Sequence, residues 1–226
     1  MKKQIVVIGL GRFGSYLAEV LFNMGHEVLA LDSEEKQVQS IAAHITHAVQ
    51  ADTTDETILK KLGVGNFDIG VVAIGSALQN SILSTILLKK LGVRYVIARA
   101  QNELHGSILE KIGADRVIYI EREKGARIAH EILLPDVVDY MPIAPGYGIA
   151  KLDKVSHLAK MTPAQIGLGR KGRWGIAVLL IKRENEIIVA PDASEVIKAT
   201  DTLVISGTDD NLEAFLAESK NYWKEA

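Results

Sequence analysis

Three glycines and two charged side chains carry the clearest chemistry in this sequence. Gly9, Gly11 and Gly14 keep a Gly-x-Gly-x-x-Gly spacing directly after the apolar run Ile5-Val6-Val7-Ile8. Arg12 stands inside the motif, and Asp32 closes the next apolar run about 20 residues further on. Such a loop cradles a pyrophosphate: Gly9 permits the tight turn, Gly11 lets a phosphate approach the backbone, and Gly14 lets the following helix pack closely on the strand. The free N–H groups at the helix start, with the positive end of its dipole, favour an anion. Arg12 adds a full positive charge where a terminal phosphate would lie. Asp32 stands where a carboxylate accepts hydrogen bonds from an adenosine ribose. These residues point to an adenine-nucleotide site, the alternative being a domain of the same fold with an empty crevice.

The elements that must hold these residues follow from periodicity. Helices are expected over Phe13 to Met24, from Ser33 to Ala43, from Asp55 to Gly63, over Ser76 to Leu91 and over Glu103 to Ile112. Strands are expected at Glu27 to Asp32, Ile45 to Ala51, Asp68 to Ile74, Arg94 to Arg99 and Arg116 to Ile120. Six strands alternating with helices make an α/β fold, a Rossmann-like doubly wound parallel sheet with its crevice at the topological switch point.

Glu121 to Leu134 has helical spacing but no strand after it. Pro135, Pro142 and Pro145 with Gly146 and Gly148 then read as a linker or hinge. Beyond them come short strands at Tyr147 to Val155, Trp174 to Lys182, Ile187 to Ala190 and Thr202 to Ser206. A short helix is expected at Pro163 to Ile166 and a final one from Asp209. The expected organisation is a nucleotide-binding domain at 1–120, a crossover helix and hinge at 121–137, and a small α+β domain at 138–226. That last part is small for the substrate domain of a dehydrogenase.

Composition removes several classes. The 26 basic and 28 acidic residues leave a net charge of -2, so no nucleic-acid partner is expected. The absence of cysteine removes disulfides, thiolate zinc sites and a cysteine nucleophile, and fits a reducing cytosol. No apolar run approaches the roughly 20 residues that span a bilayer, so a link to a membrane is expected to pass through a partner.

The remaining candidates each carry two readings. Asp52 ends the third strand, either facing the adenine or capping the strand end. Asn80 and Arg99 lie at the carboxyl side of the sheet and reach either phosphate or a neighbouring subunit. Glu121 and Glu123 are either oxygens for a magnesium or calcium ion or an acidic helix start. Of the six histidines, His130 among them, His26, His44 and His47 read as packing or surface residues, His157 follows Ser156 with no nucleophile elbow around it, and His105 is the one near the crevice. Arg170, Lys171 and Arg173 beside Trp174 are a solvated basic loop or an anion site. Ile176, Ile188 and Pro191 are core or an edge that pairs with a second copy.

Val7-Ile8-Gly9-Leu10-Gly11-Arg12-Phe13-Gly14, Gly25 to Asp32, Thr46 to Val49, Val72-Ala73-Ile74-Gly75, Leu109 to Arg116 and Asp201 to Ile205 together resemble the cytosolic regulatory subunits of Trk/Ktr potassium-uptake systems. These are built from the regulator-of-potassium-conductance (RCK) module, and the one-module Ktr subtype is the nearer match. The resemblance implies a non-enzymatic gating subunit whose homodimers assemble into an octameric ring. That ring would be cytoplasmic and peripheral, beneath a membrane potassium-translocating subunit. It implies ATP or ADP, or in some relatives NAD(H), on Gly9, Gly11, Arg12, Phe13, Gly14, Asp32, Ser33, Asp52, Thr53, Ile74, Gly75, Asn80 and Arg99. Arg12 would contact the terminal phosphate of its own or a neighbour's site, and Glu121 would ligate a divalent cation. The 121–134 helix would clasp a neighbour, and the C-terminal module would be the place for cyclic di-AMP. Ala51 and Thr200 stand where many relatives have glycine. An NAD-dependent oxidoreductase and an NADH-binding redox sensor are the competing readings, favoured by the fingerprint alone.

Overall fold

Parallel strands covered on both faces need continuous apolar sequence, and the first half of the chain supplies it. The computed structural model describes residues 2–133, 136–153, 155–169 and 171–219. Leu134, Pro135, Arg170 and the side chain of His130, named above, lie outside the described residues. By its internal contacts the chain forms two compact units, Met1–Glu121 and Arg122–Ala226.

The first unit runs β1 (Gln4–Ile8), α1 (Arg12–Asn23), β2 (Glu27–Asp32), α2 (Glu35–Ile41), β3 (His47–Gln50), α3 (Glu56–Lys61), β4 (Ile69–Val72), α4 (Leu78–Lys90), β5 (Tyr95–Arg99), α5 (Glu103–Lys111) and β6 (Arg116–Ile118). The strands pair in parallel in the order β3-β2-β1-β4-β5-β6. Side chains of β1 alternate between two buried clusters, with Ile5 and Val7 on one face and Val6 and Ile8 on the other. The strand order reverses between β1 and β4, which opens a crevice at their carboxyl ends. Helix starts follow local capping chemistry: Asp55 accepts from the Thr57 and Ile58 N–H groups, and Asn102 from the His105 N–H.

The helix α6 (Ile120–Leu133) begins at the end of the first unit. The second unit is a five-stranded antiparallel sheet, β7 (Val137–Ala144), β8 (Tyr147–Leu152), β9 (Ala177–Arg183), β10 (Glu186–Val189) and β11 (Thr202–Thr208), followed by α7 (Asp209–Ser219). Its order is β10-β9-β11-β8-β7. Leu152, Ile166, Ile176, Ile181, Leu203, Ile205 and Phe215 fill one core.

The second unit corrects several expectations. The proposed hinge is in large part a strand: Val137–Ala144 pairs with β8, and Pro142 is tolerated because β7 is an edge and its register shifts at that point. Pro145 and Gly146, with φ +71 at the glycine, make the turn between the two strands. Pro163 to Ile166 is a turn, whereas Val155–Leu158 forms a 3₁₀ turn. Trp174 precedes β9 instead of opening it: its indole N–H donates to the Ile166 carbonyl and its ring meets Phe215 edge-on at 6.0 Å. Arg173 lies over that ring and pairs with Glu218. Ile176 is core, and Ile188 packs against it.

Candidate functional site

The glycine loop joins β1 to α1 at the switch point. Gly9 takes φ +93, and its N–H donates to the Leu31 carbonyl at 2.8 Å. Gly14 has no room for a side chain, since a Cβ there would stand 1.8 Å from the Gly9 carbonyl oxygen. Gly11 is the opposite case, with nothing within 4 Å of the position its Cβ would take. It is the N-cap of α1, with no side chain capping the helix and no acid in the first turn. The leading N–H groups of a twelve-residue helix therefore start free of side-chain acceptors.

Asp32 braces this loop. One carboxylate oxygen accepts from the Leu10 N–H at 2.6 Å and the other from the Glu34 N–H at 2.9 Å. A carboxylate has about four lone-pair positions, so both oxygens keep capacity for a ligand hydroxyl. Asp52 accepts from both the hydroxyl (2.6 Å) and the N–H (2.9 Å) of Thr54, which hold its carboxyl below the ordinary range. It is thus a strand-end cap and a cleft residue at once. Thr53 is buried and shares a 2.8 Å hydrogen bond with the Ser84 hydroxyl. Arg99, at the end of β5, pairs with Glu121 in the first turn of α6.

These residues line one cleft of about 890 Å³. It gathers Gly9, Gly11, Arg12, Phe13, Asp32, Ser33, Asp52, Thr53, Ile74, Gly75, Asn80, Arg99 and Glu121. Gly14 does not line it and acts from behind, through packing. Glu34, Gln37, Ser76 and Ala77 also line the cleft and were missed in the sequence. Their signal was position: Glu34 is the N-cap position of α2, two residues after the ribose-type acid, and Ser76 and Ala77 precede α4 after the central strand. His105 is corrected. It is 1% exposed on α5, its Nδ1 accepts from the Gln101 N–H at 3.3 Å, and it does not line the cleft. Burial alone holds its imidazole below the ordinary value.

A family model described as the TrkA-N domain matches residues 5–120, and one described as the TrkA-C domain matches residues 149–220. The chain belongs to the TrkA-N/TrkA-C family. This TrkA-type chain is 41% identical over 215 residues to the Ktr system potassium uptake protein C of Bacillus subtilis, covering 95% of this chain and 96% of that protein. It is 39% identical over 213 residues to the Ktr system potassium uptake protein A of the same organism, covering 94% and 95%. It is therefore homologous to Ktr proteins along nearly its whole length. Among solved structures it shares its fold with the RCK domain of GsuK, at TM-score 0.62 and 18% identity, over 96% of this chain and 47% of that one. The GsuK channel bound to NAD matches at TM-score 0.61 and 17% identity, over 96% of this chain and 39% of that one. The TrkA-type chain thus spans under half the length of those structures.

Proposed function

We propose that this chain is a nucleotide-responsive regulatory subunit of a potassium-uptake system and performs no reaction on its ligand. The observation that carries this reading is one cleft, in a homologue of Ktr proteins, where an uncapped helix start meets Arg12, Arg99 and Asp32. The residues present fit an adenine nucleotide. Gly11 leaves open space for phosphate, Asp32 offers acceptors to a ribose, and two guanidinium groups line the same cleft. ATP and ADP are the leading ligands, with NAD(H) as the competing one.

Regulation on this reading is a population shift. ATP and its competitor must bind two conformations of the assembly with different affinity, because equal affinity shifts nothing. Glu121 would supply a carboxylate oxygen to a magnesium or calcium ion bound together with ligand phosphate. Among the described residues no three His, Asp or Glu side chains gather into a protein-only site, and magnesium needs only one or two carboxylates beside phosphate. The homology to potassium-uptake proteins supports a membrane potassium-translocating partner; an octameric ring built from homodimers, peripheral at the cytoplasmic face, completes the proposal. Among the described residues no helix is long and apolar enough to cross a membrane. The second unit is the proposed place for cyclic di-AMP.

Calorimetric titration of nucleotide-free protein with ATP, ADP, NAD and NADH, with and without magnesium or calcium, tests the reading. Tight ATP and ADP binding with weak dinucleotide binding supports it. Binding of NADH alone sinks it, and a turnover assay with small carbonyl compounds would then separate a redox sensor from an oxidoreductase.

A further inference from the structure

The Arg99–Glu121 pair is a part of the cleft that the glycine motif does not explain. Arg99 is held at the end of β5 with its side chain 20% exposed. Its guanidinium lies against Gly75, where a Cβ would come within 2.5 Å of Nη1, so only a glycine there lets the group occupy this position. Nη2 donates to Glu121 Oε1, whereas Nε is buried and has no hydrogen-bond partner among the described residues. Nε and Nη2 form one edge of the guanidinium, the fork that a carboxylate or phosphate takes with two oxygens. Glu121 therefore uses half of a bidentate site, and the other half is a buried donor left unsatisfied. Leaving such a donor unmade is unfavourable. The carboxylate on the other side is 65% exposed, and ion pairs with so exposed a partner hold weakly.

Glu121 also has a special place in the chain. It lies in the first turn of α6 and is the last residue of the first unit. Whatever engages or frees this carboxylate acts on the start of the helix that leads out of the nucleotide-binding unit.

We propose that Glu121 is a built-in stand-in for ligand phosphate: it occupies Arg99 in the empty cleft, and a phosphorylated ligand takes the guanidinium and releases Glu121 with the first turn of α6. The proposal rests on the reading of the cleft as a nucleotide site. It deepens that reading by naming the protein group with which the ligand competes. It also makes phosphate, not adenosine, the part of the ligand that α6 senses. No bond is made or broken; one counter-ion replaces another on the same guanidinium.

The test compares the full chain with Glu121→Gln, which keeps the shape of the side chain and removes its charge at an exposed position. ATP, ADP and adenosine are titrated in the presence of EDTA, where a metal-bridging role for Glu121 is silent. With the competitor gone, ATP and ADP should bind E121Q about two- to fivefold more tightly, as expected for loss of one partly exposed ion pair. Adenosine should bind both proteins equally. In an Arg99→Gln background the Glu121→Gln change should have no effect on ATP affinity, which makes the pair non-additive. Amide exchange gives a second readout: ATP should speed exchange at residues 120–124 in the wild type, and E121Q should exchange fast there before ATP is added. Equal or weaker ATP binding by E121Q, or an equal gain for adenosine, overturns the proposal while leaving the nucleotide reading intact. If neither ATP nor ADP binds the wild type, the nucleotide reading fails and the proposal falls with it.

Discussion

Gly11 and Gly14 are three residues apart in one motif, yet the structure assigns them opposite sensitivities. In Gly14→Ala the new methyl carbon would stand 1.8 Å from the Gly9 carbonyl oxygen, 3.0 Å from the Gly9 carbonyl carbon and 3.2 Å from the Ala73 Cβ. The first two are backbone atoms, so no rotamer change relieves the overlap. Either α1 must lift off the sheet or the Gly9 turn must reopen. Overpacking typically costs about 1–3 kcal/mol, and a backbone-on-backbone clash should reach at least the upper end of that range. Gly11→Ala meets open space and costs only the preference of an N-cap for glycine over alanine, about 1 kcal/mol or less. Its methyl would instead occupy the room a phosphate needs, so ATP affinity should fall at least tenfold. Of the two tryptophans, Trp174 packs in the second unit against Phe215, and Trp223 follows it in the chain, outside the described residues. In urea, far-ultraviolet circular dichroism follows both units, while tryptophan fluorescence follows the second alone. Gly14→Ala should shift the first signal and leave the second in place. A Gly14→Ala protein as stable as wild type would refute the packing argument, and a Gly11→Ala protein that binds ATP normally would refute a phosphate at the helix start.

Asp32→Asn loses one of the two carboxylate acceptors that hold the Leu10 and Glu34 N–H groups. It should cost about 1.5–3 kcal/mol by circular dichroism and weaken adenosine as well as ATP. Asp201→Asn should destabilise the second unit by about 3–5 kcal/mol, read by tryptophan fluorescence. Asp201 is 1% exposed and takes both Nε (3.0 Å) and Nη2 (2.8 Å) of Arg183. Burial works to raise its carboxyl pKa, but the Arg183 fork outweighs this and holds it below the ordinary range. The stability it supplies is therefore lost as pH falls through that lowered value. His105 titrates with the other sign: burial keeps it neutral when folded, while the unfolded chain takes up a proton below about 6.5. The first unit should thus lose stability as pH falls below about 6.5, and His105→Gln should flatten that slope in urea transitions at pH 7 and 5.5.

What the sequence displayed and what it concealed divide by the range of the interactions involved. The β1 turn, the start of α1 and Asp32 were legible because each is a local rule: an apolar run, a fixed glycine spacing and an acid closing the next strand. The same logic misread 135–148. Proline and glycine there mark a hinge or a strand pair equally well, and only the partners of Val137 and Tyr140 across β8 decide between them. Tyr140 itself could not be placed from sequence. Its hydroxyl donates to Asp209, 69 residues away, and burial together with that carboxylate pushes its pKa up. His105 was misplaced for a related reason, since its position in the chain is near the crevice while its side chain turns into the packing beneath α5.

The site separates along the same line. Residues that shape the cleft through backbone geometry, Gly9, Gly11 and Gly14, can be named from spacing because their role is steric and local. Arg99 and Glu121 acquire theirs only from each other and from Gly75, three positions on three separate segments. No short motif records that a guanidinium edge is half-filled. A carboxylate at a helix start is ordinary dipole chemistry until a half-buried arginine is found opposite it. On the proposed reading the glycine loop would hold a phosphate, but nothing in the loop would tell the rest of the chain that the phosphate has arrived. That signal requires a group whose partner changes on binding and which sits where the chain leaves the domain; Glu121 is the last residue of the first unit, and on the proposal above its pairing with Arg99 is what a phosphate would change.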